Sequence, residues 1–164
     1  MNKAKGFTLI ELLVVIAVLG ILMAAILAGI DPLQQIKKGR DTATRNMMVE
    51  YNNALLRYNA IQGIFPWNQT ATSGTLNDVA FGPYTSMLAN AGELKTNFIA
   101  AAGTQNLAKI FINTAEKSAV ICFNPESKAF QGDPQAQYTS TGAAGPAGCP
   151  SSLSLTCWIC IRAE

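Results

Sequence analysis

Residues 7–30 read FTLIELLVVIAVLGILMAAILAGI, and 20 of these 24 positions are apolar. The exceptions are Thr8, Glu11, Gly20 and Gly29. At about 1.5 Å per residue, a helix of this length reaches roughly 36 Å, enough to cross a hydrocarbon core of about 30 Å. Fifteen of the residues are Leu, Ile, Val or Phe. Each favours insertion by about 0.3–0.6 kcal/mol, while a central acid opposes it by about 2.5–3.5 kcal/mol, so the balance favours a span. A secretory signal has a shorter apolar core, about 7–15 residues, followed by an Ala-x-Ala-like cleavage site. This run is longer and carries an acid. A plain anchor explains the apolar residues but not Glu11, because acids inside membrane segments are rare and mark function.

Working outward toward the N-terminus, the run is preceded by Met1-Asn-Lys-Ala-Lys-Gly6 and opens Phe7-Thr-Leu-Ile-Glu11. This arrangement resembles the type III signal sequence of type IV pilins and pilin-like proteins. The resemblance implies a leader over 1–6, cleaved after Gly6 by a prepilin peptidase, and N-methylation of Phe7. It implies a transmembrane segment over 7–30 that becomes the fibre core, and an assembly role for Glu11. Burial of a carboxylate among apolar helices demands a cationic partner or a proton. In the family, the acid of an incoming subunit pairs with the N-terminal amine of its neighbour, here Phe7, and so sets axial register. The basic residues do not orient the span by themselves: Lys3 and Lys5 lie before it, and Lys37, Lys38, Arg40 and Arg45 lie soon after it.

The whole chain has 164 residues, 12 basic and 10 acidic, and no histidine. Its composition excludes a disordered chain and gives no bulk charge for holding nucleic acid, so a DNA partner is not indicated. Without histidine, Ser–His, Cys–His and histidine-bearing zinc chemistries are excluded. Removing Lys3 and Lys5 leaves ten basic side chains against ten acidic ones.

Beyond the run, Asp31-Pro32 reads as an N-cap with Pro at the first helical position. Leu33, Ile36, Ala43, Met47, Tyr51, Ala54 and Tyr58 recur at three, four and seven residues, with Met48 and Leu55 widening the stripe. The pattern predicts an amphipathic helix over 31–58 packed on a head of residues 59–164. Lys37, Lys38, Arg40, Asp41, Arg45, Glu50 and Arg57 fall mostly off the stripe. Pro32 either kinks one helix or separates two. By the resemblance, Gly20, Gly29 and Pro32 are places where the helix can melt on assembly. Ala54–Tyr58 with Gly63-Ile-Phe-Pro66 also resembles the family's passage into the first loop of the head. Residues 68–82 read as loop and Pro83–Gly92 as a short helix with a glycine stop. Residues 109–113, 119–123 and 155–161 read as strands, Asn124–Ser127 as a turn, and Ser140–Ser152 as a flexible surface loop. The fold class is α+β, with a long N-terminal helix, apolar in its outer half, and a small C-terminal antiparallel sheet of three or four strands. This arrangement resembles the type IV pilin fold.

Cys122, Cys149, Cys157 and Cys160 all lie in the last quarter of the chain. Cys157-Trp-Ile-Cys160 reads as half a zinc site or a redox motif when taken alone. The other two cysteines do not form a second C-x-x-C, and the motif sits in a β-branched run rather than opening a helix. Two disulfides are the expected use. Residues 157 and 160 face opposite sides of a strand, which disfavours bonding each other. We take Cys122–Cys160 with Cys149–Cys157 as the pairing, out of three connectivities. Asn68-Gln-Thr70 is a glycosylation triplet by pattern only. Asp78 and Asp133 are isolated candidate calcium ligands, read as solvated surface, and Trp67 and Trp158 as packing. No catalytic constellation, phosphate loop, metal set or cofactor motif is present, so no enzyme activity and no cofactor is expected. The resemblance implies a subunit of a helical homopolymer. Its partners would be copies of itself, a prepilin peptidase, an inner-membrane platform protein, a separate assembly ATPase and the cytoplasmic membrane before assembly. A pseudopilin of a type II secretion or competence machine is the alternative.

Overall fold

A computed structural model describes residues 6–29, 31–68, 70–150 and 157–164. Helix α1 runs over Leu9–Gly29 and α2 over Pro32–Gln62. Pro32 therefore opens a helix. The side chain of Asp31 caps it, Oδ1 accepting from Leu33 N at 3.1 Å and Gln34 N at 3.3 Å. The missing N–H of proline costs nothing at this first position. Gly63, at φ 74°, ends α2, its amide donating to the Asn59 carbonyl at 2.8 Å. The positive φ suits glycine there. The chain divides into two compact units, 1–35 and 36–164. Across the described part of α1, the large apolar side chains are exposed on every side. A helix apolar all round needs lipid or other helices to cover it.

The second unit contains a four-stranded antiparallel sheet in the order β1-β2-β3-β4, which makes the chain α+β. The strands are β1 (Ser73–Thr75), β2 (Ile110–Ala115), β3 (Ser118–Phe123) and β4 (Ile159–Ala163). Strand alternation puts Ile110, Ile112, Thr114, Ala119, Ile121, Phe123, Ile159 and Ala163 on the buried face. The registers Ile110↔Phe123, Ile112↔Ile121 and Phe123↔Ile159 align these side chains across the sheet. The core they build includes Met48, Tyr51, Ala54 and Leu55 of α2.

The buried stripe of α2 differs from the sequence expectation. It runs Asp41, Thr44, Met48, Tyr51, Asn52, Ala54 and Leu55. Leu33 and Ile36 are exposed, and Asp41, expected off the stripe, is 1% exposed. An apolar-periodicity reading misses this phase because the N-terminal end of the buried face is polar.

The stretch 68–82, expected as loop, holds β1 and a 3-10 turn over Val79–Phe81. Phe81 is buried, and Leu76 N donates to the Ile110 carbonyl at 2.8 Å. Helix α3 (Gly82–Asn90) is followed by Gly92, whose φ is 78°. Two short helices, α4 (Phe98–Ala102) and α5 (Thr104–Leu107), were not anticipated from the sequence. They bury Phe98, Ala102 and Leu107. A last helix, α6, covers Lys128–Gln131. Leu155 and Thr156 of the third expected strand lie outside the described residues, and β4 begins at Ile159.

Candidate functional site

The start of α1 is built by a short local motif. Gly6 and Phe7 precede the helix in exposed, non-helical backbone, with Phe7 92% exposed. Thr8 is the last residue before the helix, and Glu11 stands three residues on. Glu11 Oε2 accepts from Thr8 N and from Thr8 Oγ1, both at 2.8 Å, and Glu11 N donates back to Thr8 Oγ1 at 3.3 Å. This is a reciprocal capping box, satisfying two amides that a helix start leaves without partners. Thr8-x-x-Glu11 is legible as a capping box in the sequence, although the apolar run around it draws attention elsewhere. The acid also lies where the helix dipole favours negative charge. In the isolated chain Glu11 is thus a structural cap, exposed and available at one end of an apolar helix.

The cysteines lie in the second unit. Cys122 and Cys160 are direct partners across β3 and β4 and form a disulfide. Cys149 and Cys157 form the second, and no cysteine is free. The Cys122–Cys160 bridge lies on the sheet face opposite the core. The segment before Cys149 crosses that face. Tyr138 bridges both Trp158 and Ala144, Asn113 Nδ2 donates to the Ser140 carbonyl at 3.0 Å, and Arg162 Nη2 donates to the Gly142 carbonyl at 3.3 Å. Gly142, at φ 78°, is buried against the side chain of Val120, and a Cβ there would collide with it. Residues 140–150, expected as a flexible loop, are therefore a fastened cover for the sheet; residues 151 and 152 lie outside the described part.

The remaining candidates are separated. Asp78 Oδ2 accepts from Thr75 N at 2.6 Å, a turn contact. Asp133 lies 3.8 Å from Arg45 and accepts from Gln135 N at 2.8 Å. Among the described residues no three His, Cys, Asp or Glu side chains gather as a metal site. Trp67 is buried, stacked on Phe65 with ring centres 4.7 Å apart, and donates through Nε1 to the Ala115 carbonyl at 2.7 Å. Trp158 packs edge-on to Phe111 at 6.4 Å. Asn68 is exposed at φ 39°, while Gln69 of the triplet lies outside the described residues.

A further residue missed from the sequence is Asp41. Its carboxylate accepts from Glu126 N at 3.0 Å, Ser127 N at 2.7 Å and Ser127 Oγ at 2.6 Å. It fastens α2 to the segment leaving β3, from a distance of more than eighty residues in sequence. No local pattern announces such a contact.

Residues 1–27 match a family model described as the prokaryotic N-terminal methylation motif. The chain carries a prepilin-type signal. The signal takes in Gly6, Phe7, Glu11 and nearly all of α1, and it ends before α2 and the sheet. No curated protein matches the chain, and no solved structure does. The signal and the apolar helix Leu9–Leu27 together fit membrane anchoring before assembly. The α+β architecture behind the signal is consistent with a type IV pilin fold.

Proposed function

We propose that the protein is a structural subunit of a type IV pilus. A peptidase cleaves it after Gly6, it is methylated on Phe7, and it is held in the cytoplasmic membrane through residues 7–30 with the head outside. Subunits are then extracted by a platform protein and a separate ATPase and polymerise into a helical surface filament. The observation that carries this reading is α1 itself. An apolar helix exposed on all sides stays attached behind the cleavage site and can exchange lipid for the same helix of neighbouring subunits. Glu11, the one acid in that surface, would meet the Phe7 amine of the next subunit, and an ion pair inside an apolar bundle is best suited to fixing register. The disulfide-closed head supports a subunit exposed outside the cell.

Mass spectrometry of the mature chain tests the processing step. It should begin at methylated Phe7, and an intact leader overturns the proposal. Electron microscopy of cells with and without the gene tests the assembly. Long surface filaments that vanish on deletion support a pilus, whereas only short fibres beneath the surface point to a pseudopilus.

A further inference from the structure

The first turns of α2 and one end of the sheet gather cations that fibre formation through α1 does not use. Lys37 and Arg40 stand three residues apart on α2, which places them on neighbouring surface of the helix. Lys109 immediately precedes β2, and Asn124–Glu126 follow β3. Because Ile110 pairs with Phe123, these residues flank the same end of the sheet. Lys37, Lys109, Asn124, Pro125 and Glu126 line one open cavity of about 470 Å³. Lys109 Nζ lies 2.7 Å from Glu126 Oε1. That hydrogen bond, with help from Arg40 and Lys37, holds the Glu126 carboxyl below its ordinary range. Among the described residues neither Lys37 nor Arg40 has an ion pair of its own. The other nearby carboxylate, Asp41, is buried and committed to the Glu126 and Ser127 amides. Lys38 adds a fourth cation on the adjoining surface of the helix.

The chain limits where these cations can go. Lys37 follows the last residue of the candidate span, Leu27, by ten residues, and Arg40 follows it by thirteen. Ten residues reach at most about 35 Å fully extended, and several of them are helical and shorter. While α1 is in the bilayer, this tether keeps the headgroup layer within reach of Lys37 and Arg40. We propose that this end of the head, Lys37, Arg40 and Lys109 around Glu126, docks on anionic phospholipid headgroups of the membrane that holds the subunit before assembly. The inference rests on the anchoring reading above. Ammonium and guanidinium groups bind phosphate oxygens by charge-assisted hydrogen bonds. Each cation near an anionic surface strengthens the association about fivefold, weakly enough to be released when the subunit is extracted. The same contact gives the basic residues that follow the span a use unrelated to its orientation.

The full chain, placed in vesicles of phosphatidylcholine and in vesicles where about a third of the lipid is phosphatidylglycerol, tests this. Resistance to alkaline extraction in both reports anchoring; loss from both would sink the anchor reading separately. Amide hydrogen exchange at residues 109–111 and 124–127 then reports docking. Exchange should slow on the anionic vesicles, by up to about twenty-five-fold for two cations acting together, and recover in high salt. The double variant Lys37→Gln, Arg40→Gln should lose the effect while keeping the wild-type urea midpoint. Equal exchange on the two vesicle types overturns the proposal, as does protection that survives the double variant. Inorganic phosphate reproducing the protection on phosphatidylcholine vesicles overturns it in favour of a free-anion site.

Discussion

At the scale of single residues, Glu11 has two duties that ordinary mutagenesis would confuse. It caps α1 through Thr8, and it is the proposed partner of a neighbour's Phe7 amine. Glu11→Ala removes both, with the cap alone contributing about 1 kcal/mol. Glu11→Gln keeps a side-chain oxygen that can complete the capping box but lacks the charge. Both variants should remain in the membrane and assemble few filaments. Normal filament yield from Glu11→Gln, counted by electron microscopy, would leave the cap as the residue's role and remove the register argument. Asp41 is the opposite kind of residue, with no local role that a reader of the sequence would suspect. Asp41→Ala orphans the buried amide and hydroxyl of Ser127 and the half-buried amide of Glu126, and should cost about 2–4 kcal/mol, read as a lower urea midpoint by tryptophan fluorescence. An unchanged midpoint would mean that the loop after β3 finds other partners. The polarity of Asp41 hides its burial, because sequence patterns locate buried faces by apolar residues.

At the scale of elements, the strands were legible because β2 and β3 are dense in β-branched and aromatic residues and a short turn separates them. Helix α3 was legible through Pro83 near its start and Gly92 after its end. The small elements were not. Ser73–Thr75 has little strand propensity of its own and is strand only because β2 offers it an edge. Helices α4 and α5 are too short to show a period. The segment from Tyr138 to Cys149 looks flexible by composition, yet hydrogen bonds from β2 and β4 and the Cys149–Cys157 disulfide bind it to the outer sheet face. The bridges should contribute unequally. Cys122–Cys160 spans 38 residues and Cys149–Cys157 spans 8. Loop-closure entropy gives about 4 kcal/mol for the first and about 2.5 kcal/mol for the second. Paired Cys→Ala variants compared by urea denaturation should follow that order. A larger loss from the short bridge would show that fastening the cover outweighs the entropy of the loop.

At the scale of the whole molecule, stability should fall toward both ends of the pH range. Tyr51 is buried in the core, and burial pushes its pKa up to about 12 from 10.0. The unfolded chain therefore loses this proton first. The Tyr51 contribution is complete below about pH 10 and disappears as pH rises through the interval to about 12. Tyr51→Phe should flatten that alkaline decline in the unfolding midpoint, and an identical decline in the variant would assign it to other groups. At the acid end Glu126 acts with the reverse sign. Its carboxyl lies below 4.5, so its ion pair with Lys109 contributes above that value and fades as pH falls through the folded pKa. What the sequence determined alone lies at the N-terminal end of the chain: the signal, the apolar helix, its acid, and the start of α2 at Asp31-Pro32. Those features depend on neighbours within a few residues, through caps, proline geometry and the length of an apolar run. Tertiary structure alone decided which face of α2 is buried, that Asp41 is an internal anchor, that a glycine-rich loop is a cover, and that Lys37, Arg40 and Lys109 share one end of the head. These depend on pairings across tens of residues, where the energy comes from contacts that no local pattern encodes.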